Sequence, residues 1–118
     1  MKTIFMREKD ILPICKGQKT KTMRKITDFP KFKEGDFIDL KANHSKPPFA
    51  SVKITAIYPI MDVSKMSADF FKPFGYRTKK EYLNEDFNKK HISNARTVIE
   101  FEIVYLGLNG YFAEYLGW

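Results

Sequence analysis

An ammonium, a hydroxyl and a guanidinium fall within one short stretch of this 118-residue chain: Lys19, Thr22 and Arg24, directly after Gly17. Arginine forks onto a phosphate or a base edge, lysine supplies a point charge, and a hydroxyl both donates and accepts. Along a strand alternate side chains share a face, so Thr20, Thr22 and Arg24 point one way and Lys21, Met23 and Lys25 the other. Lys19 stands at the turn, before strand parity holds, and can swing towards Thr22 and Arg24. Such a trio suits an anion or a polar ring. The same residues also describe a solvated basic edge strand, because lysines protect sheet edges from pairing.

The charge distribution favours an anionic partner. The net charge is +7, and a basic surplus attracts polyanions by steering and counterion release. Residues 1–25 carry Lys2, Arg7, Lys9, Lys16, Lys19, Lys21, Arg24 and Lys25 against Glu8 and Asp10, whereas residues 97–118 carry no Lys or Arg. Other chemistries find little support. Two histidines, His44 and His91, and one cysteine make no zinc set. Cys15 falls on the apolar side of a short helix, where an inert buried thiol is expected. P-loop, dinucleotide and serine-hydrolase signatures are absent. No apolar run approaches the roughly 18 residues of a membrane span. A lone cysteine and no leader-like start predict a reducing, cytoplasmic setting, with no membrane partner and no metal or other cofactor.

The elements that must hold the trio alternate between extended and helical character. Thr3–Met6 reads as a short strand. Arg7–Lys16 reads as a helix with Ile11, Ile14 and Cys15 on one side, Asp10 as its cap and Pro13 in its first turn, and Gly17 as its left-handed stop. Strands follow at Thr20–Lys25 and Phe37–Ala42, then a loop through Pro47 and Pro48. Val52–Ile60 alternates, with Val52, Ile54, Ala56, Tyr58 and Ile60 on one face. A short helix capped by Ser64 or Ser67 runs through Phe71 and stops before Pro73. Thr78 and Glu81 have capping-box form ahead of Tyr82, Leu83 and Phe87. Thr97–Leu106 is a strand with Ile99, Phe101, Ile103 and Tyr105 on one face and Glu100 and Glu102 on the other. An aromatic tail, Tyr111–Trp118, ends the chain. The alternation of a doubly wound sheet is missing, so the expected fold is α+β: one domain over residues 1–118, a small mixed β-barrel with short helices between its strands, and a C-terminal extension at 107–118 packed on or beside it.

Gly17-x-Lys19-x-x-Thr22-x-Arg24 resembles the signature of ASCH domains, in the PUA-like superfamily. The surroundings are similar too: an Ile-bearing helix before Gly17, Phe32–Ile38 leading into the next strand, Gly75-Tyr76 ahead of the Thr78–Phe87 helix, and a closing strand at Thr97–Leu106. The resemblance covers about residues 3–106. It implies a PUA-like barrel with a cleft for RNA or a nucleotide-like ligand, in which Lys19, Thr22, Arg24, Lys21 and Tyr76 form the ligand-binding set. One branch of the family is similar to amidohydrolases acting on N4-acetylcytidine. That resemblance implies a lysine and a threonine, here Lys19 and Thr22, with a glutamate immediately before Gly75. Phe74 occupies that position. It cannot exchange a proton, which leaves Asp69 as the carboxylate for an enzyme reading and allows Phe74 and Tyr76 to stack on a base. Three functions stay open: RNA or nucleotide binding, amide hydrolysis, and protein interaction through the tail aromatics Tyr111, Phe112, Tyr115 and Trp118. The expected assembly is a monomer or weak homodimer.

Overall fold

The computed structural model describes residues 2–25, 31–45, 47–85 and 95–107. His91, Phe87 and the aromatic tail at 111–118 lie outside the described residues. In chain order the elements are β1 (Lys2–Phe5), α1 (Glu8–Cys15), β2 (Lys21–Lys25), β3 (Phe37–Lys41), β4 (Ala50–Ile60), two 3-10 segments (Val63–Lys65 and Ala68–Phe74), α2 (Lys79–Leu83) and β5 (Arg96–Leu106). Five strands form one mixed sheet in the order β1-β3-β4-β5-β2. β1 runs parallel to β3, and the other pairs are antiparallel. The sheet curls into a half-barrel accompanied by a few short helices, as the sequence predicts.

Alternation of apolar residues places one face of this sheet on the core. Ile4, Ile38, Leu40, Val52, Ile54, Ile99 and Phe101 are buried together, and α1 adds Ile11 and Ile14. Two bulges modify the expected pattern. Val52 pairs with Ile103 while Ser51 pairs with Tyr105, which leaves Val104 as an extra residue in β5. Parity reverses there. Tyr105, expected with Ile99, Phe101 and Ile103, is therefore exposed, and Leu106 packs on the core instead. Thr55 is the extra residue of β4, between the pairs Ile54–Phe101 and Ala56–Glu100.

The helical elements depart from expectation at two prolines. Arg7, not Asp10, caps α1, so Pro13 lies inside the helix. The helix is short, and the Pro13 carbonyl gains two donors beyond its end, Gln18 N at 2.8 Å and Lys19 N at 3.1 Å. The second 3-10 segment continues through Pro73 to Phe74 and stops at Gly75, whose φ of 93° is left-handed. The α2 cap is as expected, with Glu81 N–H donating to Thr78 Oγ1 at 3.1 Å. These segments enclose a second apolar cluster, Val63, Phe71 and Tyr82, with Met23 of β2 packed against it.

Candidate functional site

Lys19 is placed by the turn that ends α1. Gly17 takes a φ of 75°, which reverses the chain at little steric cost. Gln18 and Lys19 then tie back to Pro13, and Thr20 N–H donates to Pro73 O at 2.9 Å, joining the start of β2 to the 3-10 segment. Gly75 completes the seat. A Cβ there would stand 3.3 Å from Lys19 Cδ, so both the left-handed backbone and the close approach call for glycine. The lysine stem is held on that side, and its ammonium meets the Asp10 carboxylate at 3.3 Å. Lys19 is only 4% exposed and Thr22 only 5%.

Both line a cleft of about 470 Å³ between the two edges of the curled sheet. One wall is the end of β1 and its continuation, Phe5, Met6 and Arg7, and the facing wall is Thr22–Lys25 of β2. Arg24 Nη1 donates across to Phe5 O at 3.1 Å. Phe74, Tyr76, Tyr82, Glu85 and Arg96 also line the cleft. The volume falls within the range of small-ligand pockets, roughly 300–1,000 Å³.

A continuous polar network runs along the cleft. The Arg7 backbone N–H and Nε donate to Asp10 Oδ2 at 3.3 and 3.4 Å, so Asp10 serves both Arg7 and Lys19. Arg7 Nη1 meets Glu85 at 2.8 Å, as does Lys9 Nζ. Arg7 Nη2 donates to the Tyr76 hydroxyl at 3.4 Å, and that hydroxyl donates to Glu85 at 2.9 Å. Burial lowers the Lys19 pKa below the ordinary lysine value, outweighing the opposing pull of Asp10. Burial raises the Glu85 pKa, but hydrogen bonds from Lys9, Arg7 and Tyr76 prevail and hold its carboxyl below the ordinary value. Burial and the facing Glu85 carboxylate keep the Tyr76 phenol protonated far above neutral pH, although Arg7 opposes them. Among the described residues, Arg7, Lys19, Arg24, Lys25, Lys31 and Arg96 line the cleft against two carboxylates, Asp10 and Glu85.

Comparison with solved structures gives this architecture a name. An ASCH domain from Lactobacillus crispatus superposes with a TM-score of 0.70 at 13% identity, over 88% of this chain and 79% of that one. A protein from Enterococcus faecalis gives 0.71 at 16%, over 90% and 77%. An ASCH protein from Zymomonas mobilis gives 0.66 at 16%, over 95% and 76%. The chain has the fold of an ASCH domain. No protein-family model and no curated protein matches it.

In this ASCH fold the expected site residues divide. Lys19, Thr22, Arg24 and Tyr76 line the cleft together. Lys21 is not part of the lining. It pairs with Glu100 at 3.4 Å, its directly opposite residue on β5, although Met23 and Lys25, of the same strand parity, do line the cleft. Asp69 is also remote from the cleft: its side chain is 86% exposed and pairs with Lys72 at 3.0 Å. Phe74 is buried, with its ring 5.0 Å from that of Phe70.

The carboxylates that do enter the cleft, Asp10 and Glu85, are not among the residues singled out from the sequence, nor are Arg7 and Arg96. Asp10 carried a readable signal. It lies one residue before Ile11 and four before Ile14, on the apolar side of α1, where a charged residue needs a buried partner. Arg7 and Glu85 are 78 positions apart in the chain and share no local pattern. Among the described residues no cluster of His, Cys, Asp and Glu could hold a metal ion, and no helix is long and apolar enough to cross a membrane.

Proposed function

We propose that the cleft binds RNA or a nucleotide-like ligand. The observation that carries this reading is the imbalance of the lining: among the described residues, six basic side chains and two carboxylates, with Asp10 and Glu85 already engaged by Lys19, Arg7 and Lys9. A partly enclosed cationic cleft concentrates anions, and a guanidinium such as that of Arg24 fits a phosphate in bidentate fashion. Tyr76 adds an aromatic surface for a base. Nearest to what is already known, the ASCH resemblance of the signature residues points the same way.

Fluorescence anisotropy with a short single-stranded RNA tests the proposal. Affinity should fall as salt rises, with a log–log slope of about −0.7 per phosphate contact. Arg24→Ala, and more severely Lys19→Ala with Arg24→Ala, should weaken binding. Unchanged affinity in the double variant, with the circular dichroism of the folded protein retained, would overturn the site assignment.

One observation supports amide hydrolysis of an N4-acetylcytidine-like nucleoside as a second reading. Lys19 is buried with a lowered pKa, and Thr22, whose hydroxyl has no hydrogen-bond partner among the described residues, lines the same cleft. A neutral Lys19 amine would take the Thr22 proton as its oxygen attacks the acetyl carbonyl, and would pass it to the departing exocyclic nitrogen. Water would then release acetate. Cytidine formation from N4-acetylcytidine, abolished by Thr22→Ala, is the expected outcome on this reading; no turnover, or turnover indifferent to that substitution, sinks it.

A further inference from the structure

Beside the cleft lies a second, shallower hollow of about 350 Å³, lined by Pro13, Gln18, Lys72, Gly75, Tyr76 and Arg77. Tyr76 belongs to both linings. Its neighbour Gly75 also lies against the Lys19 stem, so the short segment Gly75-Tyr76 stands between hollow and cleft. The Tyr76 ring is firmly placed. Its hydroxyl bonds to Arg7 and Glu85, and its ring meets that of Tyr82 edge-on, with centroids 5.2 Å apart and planes at 84°. A fixed aromatic between a mixed cleft and a more apolar hollow is a platform on which successive bases can stack, whatever their identity.

The charges of the hollow suit a phosphate. Lys72 and Arg77 line it with the amide of Gln18, and no carboxylate is in the lining among the described residues. Lys72 pairs with Asp69 at 3.0 Å and Arg77 with Glu81 at 3.4 Å, with the Lys72, Asp69 and Arg77 side chains largely in solvent. Exposed ion pairs of this kind are weak and screened by salt, so a phosphate that brings both cations together can displace them. The guanidinium offers the fork and the ammonium the point charge.

We propose that the hollow is a second nucleotide subsite, so that a single-stranded RNA segment crosses Tyr76 with one nucleotide in the cleft and the phosphate of a neighbouring one at Lys72 and Arg77. This rests on the reading of the cleft as a nucleotide site and extends it to a ligand class, oligonucleotide in place of mononucleotide.

Calorimetric titration with uridine monophosphate, a uridine dinucleotide and a uridine tetranucleotide tests it, since short uridine strands stack little on themselves. The tetranucleotide should bind at least about tenfold more tightly than the monophosphate, as expected for an added charged and stacked contact. Lys72→Ala with Arg77→Ala should remove most of that gain, reduce the steepness of the salt dependence, and leave the monophosphate affinity unchanged. Equal affinity for all lengths, or a double variant that weakens both ligands alike or neither, overturns the second subsite while the cleft reading stands. Failure of every length to bind overturns both. Equally tight binding of polyglutamate would show a general anion surface and also overturn the proposal.

Discussion

Lys19 and Lys21 are two residues apart in the chain, and each forms an ion pair with a carboxylate, at 3.3 and 3.4 Å. Their surroundings differ completely. The Lys19 and Asp10 side chains are 5% and 10% exposed and continue into the network of Arg7, Glu85, Lys9 and Tyr76. Lys21 and Glu100 are each 28% exposed and form a small cross-strand cluster with Tyr58, whose hydroxyl donates to Glu100. Distance alone would rank the pairs as equals. Burial separates them, because desolvated charges depend on each other while wetted charges have water as an alternative. The first pair is a buried structural element of the cleft, and the second is an edge decoration.

Breaking the buried pair should produce the largest effect. Asp10→Ala strands the Lys19 ammonium and removes the acceptor of the Arg7 backbone N–H, so a loss of about 3–5 kcal/mol is expected in urea denaturation. Replacing both partners by apolar residues, Asp10→Leu with Lys19→Met, should recover most of that loss, since no buried charge then remains uncompensated. RNA binding should stay lost in the double variant. A double variant as unstable as Asp10→Ala would mean that the bond from the Arg7 backbone N–H to Asp10, not the pair, dominates.

The two regions also differ in how readable they are. Strand alternation places Lys21 and Thr22 on opposite faces from sequence alone, and the signature resemblance brings Lys19, Thr22 and Arg24 to one cleft. The core strands and the glycine stop at Gly17 follow from local rules of period and backbone freedom, whereas the segment expected to stop before Pro73 runs on to Gly75. The bulge at Val104 does not, since it is defined by the partner strand, and it sends Tyr105 to solvent against the simple alternation. The carboxylates divide: Asp10 is legible from its place on the apolar side of α1, and Glu85 is not. The position before Gly75, where the ASCH amidohydrolase pattern implies an acid, holds Phe74, and the acid beside Lys19 comes instead from α1, nine residues upstream of it. Glu85 reaches Arg7 only through the tertiary fold.

Glu85 gives the comparison a pH axis. Its folded pKa lies below the ordinary glutamate value of 4.5, so its contribution is complete above that value and disappears as pH falls through the folded pKa. Glu85→Gln should therefore lower the melting temperature by several degrees near neutral pH, about 1–2 kcal/mol for a partly buried carboxylate bonded to two cations. The difference from the parent should shrink below pH 4.5 and vanish once the native carboxyl is protonated. A difference that persists unchanged in acid would indicate lost packing and not lost charge.

Lys21→Ala, on the other side of β2, should change stability by less than about 1 kcal/mol, because a part-exposed cross-strand pair gains little over hydration. It should also leave affinity for a mononucleotide intact, since Lys21 does not line the cleft. A spectroscopic reporter is available on the same face. Burial, with Glu100 beside it, pushes the Tyr58 phenol up to about 12 from an ordinary 10. Glu100→Gln should bring the tyrosinate transition assigned to this residue, by difference from Tyr58→Phe, back towards 10 without affecting the cleft. If Lys21→Ala instead weakened mononucleotide binding as strongly as Arg24→Ala, Lys21 would belong to the site, and the contrast between buried hub and edge cluster would fail.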